Sequence, residues 1–467
     1  MQPVLTPEEM ADADRHTIAA GTPVEVLMER AGRAVAWAVR RVCGGTYGQR
    51  VVVVCGKGNN GGDGLIAARV LRGWGAHVDV FQLKDGIDRD RCRRAIELAT
   101  CAIDAMFGTG FRGELPEDAE WVAGQLYRAG APVVAVDIPS GIDGLTGEMR
   151  GVAVHAAATV TFAALKPGLL VPPGDHAAGQ VEVADIGIDI VEPAISVTDR
   201  DDLGALGSRG PYAHKWESGL MVVGGSGGMT GAPLMVSHAA MRAGAGIVWC
   251  CIPRDADAGA AAASGTEVIT KDLAEVTDAL EHVERFKAVV VGPGLGRDER
   301  VAAGVRELVA KAPVPLVLDA DGLNALAGDL APIKGRSDAT VLTPHEGEYK
   351  RIAGAEVGGD RLAAARSLAA RAGAVVLLKG PATVVAQPDG RAAINPTGGP
   401  WLATAGTGDV LSGIIGGLLA GGEEPFLAAS AGAWLHGRAA DVAGHTGLVA
   451  GDLIEALPAT LRSLEED

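Results

Sequence analysis

The 467-residue sequence is 48% hydrophobic and 21% charged, a globular balance that excludes a disordered chain and allows two or more cores without disulfides or metals. Its 41 Lys and Arg against 58 Asp and Glu leave a formal net charge of −17, which argues against nucleic acid and anionic membranes as general partners. Glycine is the outlier at 67 residues, with no Gly-X-Y period, so a Gly-x-Gly-x-x-Gly match is expected about once by chance and Gly-rich strings count only beside informative neighbours.

The N-terminal MQPVLTPEEMADADRH has no secretory pattern, and no apolar run reaches the length of a membrane span. The six cysteines form no CxxC pair and read as buried small hydrophobes, so a cytoplasmic protein is expected, and a homo-oligomer. Residues 1–50 read as helical: Thr6 and Glu9 have capping-box spacing, and Leu27, Ala31, Ala34, Val35 and Ala38 recur at helical intervals. From Arg50 the pattern becomes strand, Gly-rich turn, helix (RVVVVCG, KGNNGGDG, LIAARVLRGWG). It continues through HVDVFQL, CAIDAMFGTG, PVVAVDIPSG, ATVTFAALKPG and QVEVADIGI. The segment 192–212 lacks periodicity and reads as a linker. A second α/β pattern follows: SGLMVVGGSGG, AGIVWCCIP, AVVVGPGLG, VPLVLDADGLNAL, ATVLTPHEGEY and AVVLLKGPATVVA, then helix-like GDVLSGIIGGLLAGG. The expectation is α/β, two doubly wound domains over 1–200 and 205–467, with functional turns at carboxyl strand ends.

Three strand ends in the first half carry chemistry. Gly58-Asn59-Asn60-Gly61-Gly62-Asp63-Gly64 offers backbone N–H groups at a helix start, where an anion is favoured; the plain alternative is a capped βα turn. Asp104 and Asp137 end two further strands, where a single Asp is more often a helix cap. Oxygens of Asn60, Asp104 and Ser140 can bind a hard cation, and an acid with its conjugate base can move protons at a substrate carbon.

These strings, with Lys166-Pro167-Gly168-Leu169 and Ala184-Asp185-Ile186-Gly187, resemble the NAD(P)H-hydrate epimerase family, the YjeF N-terminal domain, over residues 1–195. That family interconverts the R and S forms of hydrated NADH and NADPH. The resemblance implies a Rossmann-like three-layer sandwich and a potassium (K+) site at Asn60, Asp104 and Ser140. It implies hydrate contacts at Asn59, Asn60, Gly61, Gly62 and Asp63, at Gly108, Thr109, Gly110, Phe111, Arg112, Gly113 and Glu114, and at Asp137. Asp104 is the expected acid/base, in competition with its role as metal ligand.

In the second half, Gly406-Thr407-Gly408-Asp409 runs into an apolar helix. Its amides can form an anion hole for a phosphoryl group, and Asp409 can take a proton from a substrate hydroxyl; the alternative is a capped helix start. Lys379, ending a VVLL strand, can pair a phosphate. Asp319 and Asp321, alternate in an extended chain, would point to one side and could orient substrate or hold Mg2+ through waters. His345 lies on a loop with no zinc spacing.

Together GSGGMTGA, GPGLG, LDADGLNAL, TPHEGE, KGPAT and TAGTGDVLSGIIGGLLAGG resemble the ADP-dependent NAD(P)H-hydrate dehydratases of the ribokinase-like superfamily, over residues 205–467. The resemblance implies hydrate contacts at Ala232, Gly294, Gly296, His345 and Asp409. It implies nucleotide contacts at Lys379, Gly380, Pro381, Ala382, Thr383 and Gly408. Two departures stand out: Glu346 replaces an expected proline, and Trp401 with Leu402 adds bulk before the anion hole. The implied reaction uses ADP as phosphoryl donor with Mg2+. Phosphorylating the hydrate's hydroxyl makes a leaving group that the ring nitrogen expels. The competing reading is a ribokinase-like kinase for a small molecule such as a vitamin precursor, with an N-terminal ligand-binding module.

Overall fold

The computed structural model describes residues 1–204, 206, 210, 212–253 and 267–465. The chain divides into two compact units, Gln2–Ile195 and Ser196–Asp467. The segment read as a linker includes positions 205, 207–209 and 211, which lie outside the described residues. Elsewhere in that segment Ile195–Val197 forms a strand and Leu203 is buried. No helix among the described residues is long and apolar enough to cross a membrane.

In the first unit, β1 (Gln2–Val4) precedes the helix Pro7–Ala19, where Thr6 and Glu9 form the expected capping box. A parallel sheet follows: β2 (Arg50–Cys55), β3 (His77–Gln82), β4 (Cys101–Ala105), β5 (Val133–Val136), β6 (Ala158–Phe162) and β7 (Gln180–Ala184). Its order is β3-β2-β4-β5-β6-β7. Alternation along β2 splits its side chains between two cores. Val51, Val53 and Cys55 pack with Ala31, Val35, Ala67 and Leu71 of the helices on one face; Val52 and Val54 pack with Ile96, Val122 and Leu126 on the other. Each such valine contributes about 1.5–3 kcal/mol by leaving water. The order reverses at β2, so the carboxyl ends of β2 and β4 flank the crevice where such sheets bind ligands.

The second unit repeats the logic with β8 (Ile195–Val197), β9 (Gly219–Val223), β10 (Ile247–Pro253), β11 (Ile269–Leu273), β12 (Ala288–Val291), β13 (Leu316–Leu318), β14 (Thr340–Leu342), β15 (Val375–Leu378), β16 (Val384–Ala386) and β17 (Ala392–Ile394). The order β17-β16-β15-β14-β13-β12-β9-β10-β11 is parallel except for β16 and β17, which extend it as antiparallel strands. Here the reversal falls at β9. The helix Thr407–Ala420 is apolar on nearly every side and buried along its length, wedged in the main core beside Val236, Ala240 and Val290.

Candidate active sites

In the first unit a cavity of about 1060 Å³ opens at the carboxyl ends of β2, β4 and β5. The Asn-rich string is less a turn than the start of a helix, Asn59–Gly73, whose N-cap Gly58 makes no side-chain cap bond and leaves the first N–H groups free toward the cavity. Gly61 sits inside this first turn because a Cβ there would fall 2.2 Å from the Gly56 carbonyl oxygen. Asn59, Asn60, Asp63, Asp137, Gly108, Thr109, Gly110 and Phe111 line the cavity, whereas Gly61, Gly62, Arg112, Gly113 and Glu114 do not. A Cβ on Gly108 would lie 3.1 Å from both Asn60 Oδ1 and Asp137 Oδ2, so the loop after β4 is threaded between them.

Asp137 follows β5 with a left-handed backbone (φ 67°), a strained state for a non-glycine residue. Its carboxylate accepts from Thr109 N (2.9 Å) and Thr161 Oγ1 (3.2 Å) and pairs with Lys166 Nζ at 2.9 Å. Lys166 is fully buried and also donates to Thr161 Oγ1 (2.8 Å) and the Phe162 carbonyl (2.9 Å), yet it lines the cavity. Asp14, from the first helix, faces the same space. Burial, then the charges of Asp137 and Asp14, push the Asp63 carboxyl up to about 8, and its Oδ1 has no hydrogen-bond partner.

Asp104, the expected acid/base, lies apart from these groups. It is wholly buried, and neither it nor Ser140 is part of the cavity wall. Its Oδ2 accepts from Ser140 N (2.8 Å), and its Oδ1 accepts from Ser140 Oγ (2.6 Å) and Met106 N (3.2 Å). Burial pushes it up to about 6 against those bonds. Its carboxylate thus lies beneath the cavity floor. Asn60, Asp104 and Ser140 are the residues expected to hold potassium. Among the described residues Asp104 has no ion-pair partner, and its oxygens accept only from Ser140 and Met106.

In the second unit the turn Gly406–Asp409, the expected anion hole, lies beside Lys379. Its Nζ donates to Asp319 Oδ1 at 2.7 Å, lies 3.9 Å from Glu348 Oε2, and is 3.6 Å from where a Cβ on Gly408 would sit. Ser412, one turn along the helix from Asp409, donates to Asp319 Oδ2 at 2.7 Å. Asp319 is fully buried. Burial would raise its carboxyl, but Lys379, Ser412 and Thr343 outweigh that and hold it below the ordinary range. Gly406, at φ 89°, turns the chain into the helix with no side-chain cap, leaving the following N–H groups open. The Thr407 hydroxyl is turned back to the carbonyls of Leu402 and Thr404, so only its backbone faces the hole. Asp409 is pushed up to about 6, first by burial and then by the Asp319 charge, with Lys379 opposing.

The Asp319/Asp321 alternation fails. The strand stops at Leu318 and Ala320 is left-handed (φ 49°), so Asp321 turns away to accept from Gly296 N (2.8 Å) and Asn324 Nδ2 (3.1 Å). Both carboxylates are engaged, and no group of three or more His, Cys, Asp or Glu among the described residues is placed to hold a metal. These residues do not fit a directly held Mg2+. Gly294 and Ala232 are neighbours, since a Cβ on Gly294 would be 3.5 Å from the Ala232 Cβ. His345 is the N-cap of the helix Glu346–Ala353: Nδ1 accepts from Gly347 N at 3.0 Å, and Nε2 lies 3.5 Å from Glu348 Oε1. Glu346 pairs with Arg361, and Trp401 stacks on His445 at 3.6 Å between ring centres.

Lys166, Asp14, Glu348, Ser412 and Arg361 escaped the sequence reading as site residues. Only Ser412 left a usable signal, its three-residue spacing from Asp409.

Residues 220–460 match the family model described as NAD(P)H-hydrate dehydratase, and residues 24–102 and 87–168 match the YjeF-related protein N-terminus. The chain is 40% identical to a bifunctional NAD(P)H-hydrate repair enzyme of Moorella thermoacetica, across 99% of this chain and 97% of that protein. It is 41% identical to the enzyme so named in Mycobacterium tuberculosis, across 86% of each. A crystal structure of an ADP/ATP-dependent NAD(P)H-hydrate dehydratase from Bacillus subtilis, co-crystallised with ATP and Mg2+, superposes with a TM-score of 0.52 at 31% identity, covering 58% of this chain and 99% of that one.

Proposed function

The chain belongs to the bifunctional NAD(P)H-hydrate repair enzymes, and we propose that its two reactions occupy the two sites described, the epimerase in the first-unit cavity and the dehydratase at the Asp409 turn.

For the dehydratase, the supporting observation is a half-buried Asp409 at open helix amides, backed by the Lys379–Asp319–Ser412 network. Asp409 takes the proton of the hydrate's hydroxyl as that oxygen bonds to the transferring phosphorus of ADP and the ADP phosphoanhydride bond breaks. The Gly406–Gly408 amides meet the phosphoryl charge, and Lys379–Thr383 hold the nucleotide. The ring nitrogen's lone pair then expels phosphate, and loss of a proton from the neighbouring carbon restores the dihydropyridine. Mg2+ travels with the nucleotide's phosphates. One epimer, the S hydrate, presents its hydroxyl to Asp409.

For the epimerase, a group must give a proton to the departing hydroxyl and recover it when water returns on the other face. The Asp137–Lys166 pair and the protonated Asp63 are the cavity-facing groups suited to this, in place of Asp104. Asn60, Asp104 and Ser140 would hold K+, which when bound supplies a positive charge beside the buried carboxylate.

The test mixes both hydrate epimers with the protein, ADP and Mg2+ and follows dihydronicotinamide absorbance. Recovery of both epimers is expected. No recovery with ADP or ATP would sink the dehydratase assignment.

A further inference from the structure

We propose that Arg361, with Glu346, is a positioning residue for the nucleotide: it holds the turn Lys379–Thr383 in its binding shape. The inference rests on that turn being the nucleotide site. Arg361 opens the helix Arg361–Ala372, and its side chain is only 9% exposed, unusual for arginine. The guanidinium forks between two turns. Nη1 donates to the Glu346 carboxylate, at the end of the turn after β14, and Nη2 donates to the Lys379 carbonyl at 3.0 Å, at the end of β15. A backbone bond from Lys379 N to the Pro344 carbonyl (2.8 Å) ties the same two turns.

The guanidinium also lies against Gly380, whose backbone is at φ +142°; a Cβ there would fall 2.5 Å from Nη2. Two residues on, Ala382 is left-handed (φ 52°), a state that persists only where the surroundings fix it. The fork and the glycine it covers lie immediately before it in the turn. The Arg361 Nε is buried without a partner, so burial does not serve the arginine's own hydrogen bonding. Glu346, largely exposed, compensates the buried charge. Because the fork grips the carbonyl of Lys379, losing it loosens the residue whose Nζ meets Asp319 beside Gly408.

The experiment is steady-state kinetics on the full-length protein, varying ADP and hydrate separately, with thermal melts to confirm folding. Arg361→Ala should raise the ADP KM about tenfold, the loss of a hydrogen bond to a charged group, and leave the hydrate KM within about twofold. Arg361→Lys keeps the charge but not the fork and should recover only part of the loss. Glu346→Gln should raise the ADP KM about threefold. ADP binding to Lys379→Ala by calorimetry tests the underlying reading: unchanged affinity there means the turn is not the nucleotide site. If Lys379→Ala weakens ADP while folded Arg361→Ala leaves its KM within about twofold, or raises both KM values alike, the inference is overturned. Should Arg361→Ala not fold, Arg361→Lys and Glu346→Gln decide by the same criterion.

Discussion

The two units bury an aspartate at the end of a strand in the same way and use it differently. Asp104 ends β4 with hydrogen bonds but no cationic partner among the described residues, and burial lifts it to about 6. Asp319 follows β13 with Lys379 and Ser412 upon it and is held low. Position in a parallel sheet brings both to a ligand-binding crevice, but the partner decides the chemistry. Asp319 is a fixed anion that orients Lys379. Asp104 is a buried carboxylate held only by Ser140 and Met106 donors. The acids assigned to proton transfer under the proposed function are others: Asp137 and Asp63, which line the first unit's cavity, and Asp409 in the second, raised by burial to about 6.

The largest effect should come from removing the second unit's base. Asp409→Asn should lower NAD(P)H formation by about 10²–10⁴-fold for either epimer while epimer exchange continues, measured by chromatography of the two hydrates. Next, Asp319→Asn strands the buried Lys379 charge, and chemical denaturation should register a loss of about 3–5 kcal/mol in the second unit. The matching change, Asp104→Asn, removes no cationic partner from the structure and should destabilise less; an equal loss would break the contrast. Lys166→Met should slow epimer exchange by about 10²-fold and leave dehydration of the S hydrate intact.

The smallest effect is one of pH. Asp409 must be unprotonated to act as a base, and its carboxyl is pushed up to about 6. Dehydratase kcat/KM should therefore rise with pH through about 6, not near 4, and Asp409→Glu should shift that limb. A flat profile from pH 5 to 7 would show that another group titrates in the reaction.

Much of the frame was legible because parallel strands and Gly-rich ends write themselves as apolar runs and punctuation. The capping box at Thr6, the helix at Gly406–Asp409 and the strand-end acids follow local rules. What escaped depends on tertiary partners or on one backbone angle. Lys166 entered only as a letter of the Lys166-Pro167-Gly168-Leu169 string, and its role comes from its burial against Asp137. Asp14 lies in an N-terminal helix, far in sequence from any strand end. Ala320 takes a left-handed angle that glycine would have announced, and that single residue sends Asp321 away from Asp319. The potassium and acid/base readings of Asp104 could not be separated by spacing, because accessibility is not a local property.

The central claim, two sites working in sequence on one substrate pool, is tested most directly by chromatographic separation of the epimers during turnover with ADP and Mg2+, comparing Asp137→Ala with Asp409→Ala. Asp137→Ala should consume one epimer and leave the other to decline at the spontaneous rate. Asp409→Ala should form no NAD(P)H while the epimers still exchange rapidly. Fast consumption of both epimers by Asp137→Ala, or NAD(P)H formation by Asp409→Ala, would contradict the account.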